Sequence, residues 1–349
     1  MTTSGRRRIF TMLPAVFLAV SFAFGSHVGG QDRRVLDVTV RSSIGQRLSY
    51  STIEVASGLS RFTDESGHAS IPVQATDRVR IRIKHLGYAA IDTTLVLQEG
   101  QERPQLVVTL EPVVFRMATV SVKGRSSCKV VSDSASQIGR LVGELRKNAE
   151  RELLLRNHYP FTYRLARKFE TGESYSTGFR HDTVEFGSAA TLSYEPGKLV
   201  RSSSLGRGSA TRAMHIPTLI DLSHETFLKA HCFSYAGMTN VRGREAYKID
   251  FKPVPELGAP DVAGSAYLDA KTFVVREAVF RLTNPSRVTP PVVGLEVTTT
   301  YREILPGLPL VELISAVQQV AGSRNGRLEE QRLVGVTFLG ERPGDALVR

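Results

Sequence analysis

The sequence predicts a mainly β protein in which one amphipathic helix separates two β-rich parts. Segments with alternating apolar and polar residues recur between residues 35 and 123 and again after residue 159, and such alternation is typical of strands with one buried face. Between these regions, residues 138–153 place apolar side chains at helical spacing. A chain of 349 residues is long enough to form two cores of ordinary size.

The first 30 residues are typical of a signal peptide. Arg6–Arg8 precedes an apolar run, Ile9–Phe24, and Val28–Gly30 supplies small residues for cleavage. A membrane anchor is the alternative, but the run is shorter than the roughly twenty residues of a spanning helix. We expect cleavage before Gln31, no stable membrane span afterwards, and export to the periplasm or cell surface of a Gram-negative bacterium. The paired arginines leave the twin-arginine route open.

The strands of residues 31–124 follow one another at the close spacing of a β-sandwich. Arg78–Lys84 is the clearest of them, since Val79, Ile81 and Ile83 face one side while the basic residues face the other and form a solvent-exposed outer surface. The remaining strands are predicted at Val35–Val40, Ser51–Ser57, Leu95–Leu97, Leu106–Leu110 and Val120–Lys123.

Two turns interrupt these strands. The side chain of Asp64 can accept hydrogen bonds from nearby backbone groups and Gly67 tolerates positive φ, while Gly87–Tyr88 ends the basic strand. The segments Thr63–Gly67, Leu86–Tyr88, Thr109–Pro112 and Val120–Val122 resemble the carboxypeptidase regulatory-like domain. That resemblance implies a seven-stranded, transthyretin-like β-sandwich over residues 31–124, with structural roles for Asp64, Gly67, Gly87 and Tyr88 and no catalytic residue.

Residues 125–349 are predicted to form a helix followed by an antiparallel β meander. Ser132–Ser134 can cap the helix, and its mixed charges favour packing against a sheet over the alternative of a membrane-surface helix. The Gly/Ser-rich segment Ser202–Ser209 is predicted to be a loop. Asn325–Gly326 predicts a hairpin. The strands are predicted at Tyr159–Arg167, Tyr247–Phe251, Glu277–Leu282, Leu295–Arg302, Leu310–Val320 and Leu328–Leu339.

The succession of Gly243–Phe251 and Gly264–Phe273, with Leu268–Asp269 at the end of a strand, resembles the half-barrel of periplasmic lipoprotein-carrier and sigma-factor-regulator proteins. This resemblance implies a sheet that can curve around an apolar ligand or a partner. Five aromatic residues on predicted strands either fill the core or line such a cavity. They are Tyr247, Phe251, Tyr267, Phe280 and Tyr301.

Cys128 and Cys232 are the two cysteines of the sequence, and both follow the signal peptide. An oxidising compartment favours a disulfide between them. Two unlinked thiols, or a metal site that includes His231, are the alternatives. No second pair of ligands stands at zinc spacing, so the disulfide is the prediction.

The candidate catalytic residues do not form a known motif. His224 and His231 are seven positions apart, whereas a helical zinc motif requires a spacing of four. Ser202–Ser204 could join Asp221 and a histidine as a triad, but no nucleophile elbow supports it. Adjacent carboxylates at Glu329–Glu330 point to opposite faces of a strand. We therefore predict no catalytic residue, metal or cofactor.

The formal charge of +11 includes three arginines of the signal peptide, and without them it is 11 − 3 = +8. The basic residues are spread out and form no nucleic-acid-binding module, so a nucleic-acid partner is not expected. The sequence predicts a non-catalytic envelope protein whose partner is another envelope protein, a lipid or a polysaccharide. The alternatives are a carbohydrate-binding accessory protein, disfavoured by the absence of Trp, and a hydrolase- or peptidase-associated protein.

Overall fold

The computed structural model describes residues 33–74, 78–98, 100–115, 136–171, 178–189, 194–204, 210–288, 292–321 and 327–345. Several predicted features lie outside the described residues: the signal peptide, the strand Val120–Lys123, the cap Ser132–Ser134 and the turn Asn325–Gly326. The described part of the chain is mainly β, as the sequence predicts. No helix in these ranges is both long and apolar enough to cross a membrane.

The elements of the first part are strands. They are β1 (Arg33–Ser42), β2 (Thr52–Val55), β3 (Ser60–Phe62), β4 (His68–Gln74), β5 (Arg78–Lys84), β6 (Ile91–Val96) and β7 (Gln105–Leu110). They form two sheets, ordered β4-β1-β7 and β3-β2-β5-β6. The pairs are antiparallel except β1 and β7, which run parallel. The prediction of a seven-stranded sandwich is confirmed for the described residues.

Alternation along the strands produces the core of this sandwich. On β5, Val79, Ile81 and Ile83 are buried, and they belong to one apolar cluster with Leu36 and Ile71 of the facing sheet. The prediction that the basic residues of β5 all face solvent is wrong at its last position. Lys84 is 8% exposed because its ammonium lies between two carboxylates, described below.

The second part begins with the helix α1 (Gln137–His158), which is longer than the predicted 138–153. The side chain of Ser136 caps it by accepting a hydrogen bond from the backbone N–H of Gly139. The buried Asn148 holds the helix to the sheet, since its amide donates to the carbonyl oxygen of Phe273 at 2.8 Å and its oxygen accepts from the N–H of Val275 at 3.0 Å.

The remaining elements follow α1 in chain order. They are β8 (Phe161–Thr171), β9 (Gly178–Gly187), β10 (Val200–Ser204), β11 (Ala210–Met214), α2 (Leu219–Ser223), α3 (Glu225–Ala230), β12 (His231–Val241), β13 (Arg244–Pro253), β14 (Val262–Asp269), β15 (Val275–Leu282), β16 (Val292–Leu305), β17 (Leu308–Val320) and β18 (Arg327–Phe338). The prediction of a loop over Ser202–Ser209 is wrong for Ser202–Ser204, which pair with β11. Helices α2 and α3 were not predicted.

In the described residues a nine-stranded sheet follows the order β12-β13-β14-β15-β16-β17-β18-β8-β9. Neighbouring strands are antiparallel throughout, so the predicted meander is confirmed. Helix α1 packs on one face, called the inner face here. Leu141 and Leu145 share an apolar cluster with residues of β13–β16, and Leu154 and Leu155 share another with Phe161 of β8.

Helix α1 also contacts the sandwich. The Lys84 ammonium lies 2.6 Å from a carboxylate oxygen of Glu54 and 2.9 Å from one of Glu150 on α1. The Gly87 N–H donates to Glu144 of α1 at 2.9 Å. The helix therefore packs against both β parts. The predicted domain boundary at residue 124 lies outside the described residues and stays a prediction.

Candidate functional site

A cavity of about 960 Å³ lies between α1 and the inner face of strands β16, β17, β18 and β8. The segment before α2 and its first residue close another side, through Ile216, Pro217, Thr218 and Leu219. Most of the wall formed by the strands is apolar. Its apolar members include Leu165, Phe169, Val292, Val297, Ile314 and Leu328.

Strand alternation positions these side chains. On β16 the residues Leu295, Val297, Thr299 and Tyr301 all face the cavity, since every second side chain of a strand points to the same face. On β8 the same spacing directs Tyr163, Leu165, Arg167 and Phe169 inward. The cavity wall is therefore a direct product of the alternation that the sequence displays.

The other half of the inner face is filled by side chains. Phe227 of α3 stacks its ring on His231 at a centroid distance of 3.8 Å, and it packs against Phe251 at 5.5 Å. Phe251 in turn contacts Phe280 at 5.7 Å. Phe227, Phe251 and Phe280 belong to the largest apolar cluster of the described chain. Large aromatic residues and the short helices thus occupy the region over β12–β15, and the cavity lies over β16–β8.

A charged pair on α1 forms a polar part of the cavity wall. Glu152 is 3% exposed, and its Oε1 accepts a hydrogen bond from Arg156 Nε at 2.9 Å, with Arg156 Nη2 at 2.8 Å. Arg156 also donates to the carbonyl oxygen of Ser188, and its guanidinium lies over the rings of Phe161 and Tyr163. The arginine is thus held on several sides.

The second carboxylate oxygen of Glu152, Oε2, has no hydrogen-bond partner within the described residues. Burial raises the pKa of Glu152, the nearby Asp221 raises it further, and the ion pair with Arg156 opposes both. Burial also raises the pKa of Tyr301, and the carboxylates of Glu152 and Asp221 add to that effect. The polar part of the wall therefore combines a compensated ion pair, an unsatisfied oxygen and a neutral phenol.

More exposed polar residues line the cavity on β8 and β18. Arg167 donates two hydrogen bonds to Asp182 of the edge strand β9, each 2.7 Å long. Glu170 accepts the backbone N–H of Leu328 at 3.0 Å, and the Gln331 amide donates to Glu329 at 2.7 Å. The first two sets of contacts tie neighbouring strands together beside the cavity, and the third lies within β18.

Four of the five aromatic residues proposed from the sequence, Tyr247, Phe251, Phe280 and Tyr301, belong to the apolar cluster under α1 and the short helices. Of these, Tyr301 also lines the cavity. Tyr267 is partly buried on β14, beside Lys248 of β13. A ligand contact by any of the five stays a prediction.

The four predicted turn residues occupy turns. The Asp64 carboxylate accepts the N–H groups of Ser66 and His68 at 2.8 and 2.9 Å, and Gly67 has a φ of 73°. Gly87 has a φ of 77°, and Tyr88 forms a β-bridge with Pro112. A Cβ atom on Gly87 would lie 2.8 Å from the Phe273 ring.

His224 and His231, the candidate metal ligands, are held by separate contacts. His224 is exposed and caps α3 by accepting the N–H of Thr226. The buried ring nitrogens of His231 lie 3.1 and 3.0 Å from the carbonyl oxygens of Phe227 and Val262. In the described residues no group of His, Cys, Asp and Glu has the arrangement of a metal site. Cys128 lies outside those residues, so its disulfide with the buried Cys232 stays a prediction.

The residues that sequence reasoning missed are Glu152 and Arg156. They stand four positions apart on the predicted helix, a spacing at which opposite charges pair. That spacing alone also fits an exposed salt bridge. Their burial against a cavity follows only from the path of β8 and β16, which the sequence pattern does not define.

Comparison with protein-family models found no match. Comparison with curated proteins also found none. Among solved structures, a DUF1329 family protein from Desulfovibrio piger is 10% identical with a TM-score of 0.34, covering 58% of this chain and 95% of that one. A putative outer membrane lipoprotein-sorting protein domain from Vibrio parahaemolyticus is 10% identical with a TM-score of 0.31, covering 57% and 93%.

A LolA superfamily protein from Nitrosomonas europaea is 9% identical with a TM-score of 0.32, covering 60% of this chain and 96% of that one. Two of these three proteins are described as lipoprotein-sorting or LolA superfamily proteins. The resemblance of residues 31–124 to regulatory-like domains stays a prediction.

Proposed function

We propose that this protein is an exported, non-catalytic envelope protein that binds an apolar ligand between α1 and the nine-stranded sheet. The observation that carries the proposal is the cavity of about 960 Å³ with mostly apolar walls. Small-molecule sites occupy about 300 to 1,000 Å³ and are lined mainly by apolar side chains with a few polar groups. The cavity has this size and this composition.

The export part of the proposal is supported by the sequence of the first 30 residues, in which a basic segment precedes an apolar run and small residues. An apolar compound of low solubility requires a protein to cross an aqueous compartment, because water disfavours its exposed surface. A carrier in the envelope is consistent with both features.

The test is to purify the mature protein, extract it with organic solvent and identify copurifying lipids by mass spectrometry. Binding of the fluorescent apolar probe N-phenylnaphthylamine is then measured. The proposal expects a bound lipid that the probe displaces. It fails if no lipid copurifies and the probe does not bind.

Two neighbouring positions on β17 provide a matched pair of variants. Ala316 lines the cavity, whereas the adjacent Val317 is 40% exposed on the opposite face. The substitution Ala316→Phe places a ring in the cavity and is expected to weaken probe binding at least about tenfold. Val317→Phe is expected to leave it unchanged. If the two variants bind the probe equally well, the probe binds outside this cavity.

A further inference from the structure

The carboxyl group of Glu152 is a polar group of the cavity wall to which the proposed function gives no role. It is buried, it lies in the cavity wall, and its Oε2 has no partner within the described residues. A buried polar atom without a hydrogen bond is unfavourable, and beside a cavity it offers a bonding position that a bound polar group can fill.

We propose that the cavity binds a neutral amphiphile whose hydroxyl head group pairs with Glu152 Oε2, with its alkyl chain along the apolar strands. This inference rests on the proposed function, because it names the ligand class of the same cavity. The compounds concerned are fatty alcohols and other lipids with an uncharged hydroxyl head. The head lies next to α1, and the chain lies against residues such as Leu295, Ile314 and Leu328.

The charges around Glu152 disfavour an anionic head group. Arg156 is already paired with Glu152 at 2.8 and 2.9 Å, so its charge is compensated. Asp221, which is 2% exposed, is a second carboxylate close enough to affect Glu152. A carboxylate ligand would therefore be buried beside two acidic groups and one compensated cation. Burying an uncompensated charge is strongly unfavourable.

A hydroxyl group is also the head group that suits both protonation states of Glu152. An ionised Oε2 accepts the hydroxyl hydrogen, and a protonated Oε2 donates to the hydroxyl oxygen. Burial raises the pKa of this carboxyl group while Arg156 lowers it, so a partner that can both donate and accept satisfies either state. An ammonium head can only donate, and a carboxylate head can only accept.

The test compares three ligands with the same chain: dodecanol, dodecanoate and dodecylamine. Each displaces N-phenylnaphthylamine from the wild-type protein at pH 7. Dodecanol is expected to bind at least about tenfold more tightly than dodecanoate, because it forms one buried hydrogen bond and does not bury a negative charge. Equal or tighter binding of dodecanoate or dodecylamine overturns the hydroxyl proposal and leaves the apolar cavity intact. Absence of binding by all three and by the probe overturns the proposed function instead.

The variant Glu152→Gln keeps the shape of the side chain and removes its negative charge. Arg156 is then uncompensated, so dodecanoate is expected to gain at least about tenfold relative to dodecanol. A second variant, Glu152→Met with Arg156→Met, removes both charges, and it should bind the probe while losing the preference for the hydroxyl. Arg146→Met, at an exposed position of α1, is the control and should keep the wild-type order. An unchanged order in Glu152→Gln overturns the proposal.

Discussion

His85 is a residue through which acid is expected to weaken the fold. Burial, with Arg151 and Lys147 nearby, lowers the pKa of His85 to about 3. Its Nδ1 lies 3.0 Å from the Ser51 hydroxyl. Because of the low pKa, the ring stays neutral in the native protein, whereas in the unfolded chain it accepts a proton below a pKa of about 6.5. The contribution of the neutral His85 ring to the stability of the fold is complete above pH 6.5 and is lost as the pH falls towards 3.

The measurement is urea unfolding at pH 7 and pH 4.5 for the wild type and His85→Gln. Over that interval the wild type should lose about 2 to 3 kcal/mol more than the variant, since two pH units below the unfolded pKa correspond to that difference. His158→Gln, at an exposed residue of α1, should behave like the wild type. Parallel losses in the wild type and His85→Gln would contradict the prediction.

At the scale of elements, the strands could be predicted where alternation is regular. Arg78–Lys84 has the predicted bounds, and the alternating residues of β16 from Leu295 to Tyr301 share the cavity face. The helix was predicted from its apolar spacing, although Ser136, and not an earlier serine, is the described cap. These features are local, and the sequence pattern therefore contains them.

The features that the sequence did not predict depend on residues that are far apart in the chain. Lys84 continues the basic alternation of β5, yet Glu150, 66 positions later, buries it. Helices α2 and α3 have five and six residues, too short to display a helical period. Phe280 and Tyr301 both belong to the apolar core, but only Tyr301 also lines the cavity. Only the path of the helices over the sheet distinguishes these two positions.

The turn after β5 is expected to require glycine for two reasons. Gly87 has a φ of 77°, and a Cβ there would lie 2.8 Å from the Phe273 ring. Gly58 has a φ of 88° with nothing within 4 Å of a Cβ. Gly58→Ala should cost about 1 to 2 kcal/mol of unfolding free energy from backbone conformation alone.

Gly87→Ala should cost at least about 1 kcal/mol more than Gly58→Ala, because the ring of Phe273 must also move. Urea unfolding of the two variants measures the difference. If both variants lose the same free energy, the Phe273 ring accommodates the added Cβ without strain and the second reason for glycine is wrong.

At the scale of the whole molecule, α1 connects the sandwich to the nine-stranded sheet. Lys147 of α1 donates to the carbonyl oxygens of His85 and Tyr88 in the sandwich. Asn148, the next residue, bonds to Phe273 in the loop before β15 and to Val275, the first residue of that strand. Two adjacent residues of α1 thus form hydrogen bonds with the two β parts, one with each. Local opening of either part removes packing from the same helix, so the two parts are expected to unfold together.

The prediction concerns Lys84, whose ammonium bridges Glu54 and Glu150. Lys84→Met leaves these carboxylates without their shared cation and is expected to lower the free energy of unfolding by about 1 to 3 kcal/mol. Hydrogen exchange read by mass spectrometry measures this separately for peptides of β5, α1 and β13. All three should lose the same protection, whereas Arg80→Met, at an exposed position of the same strand, should leave them unchanged. Loss confined to β5 would mean that the sandwich opens without the helix, and that the contacts of α1 do not couple the two parts.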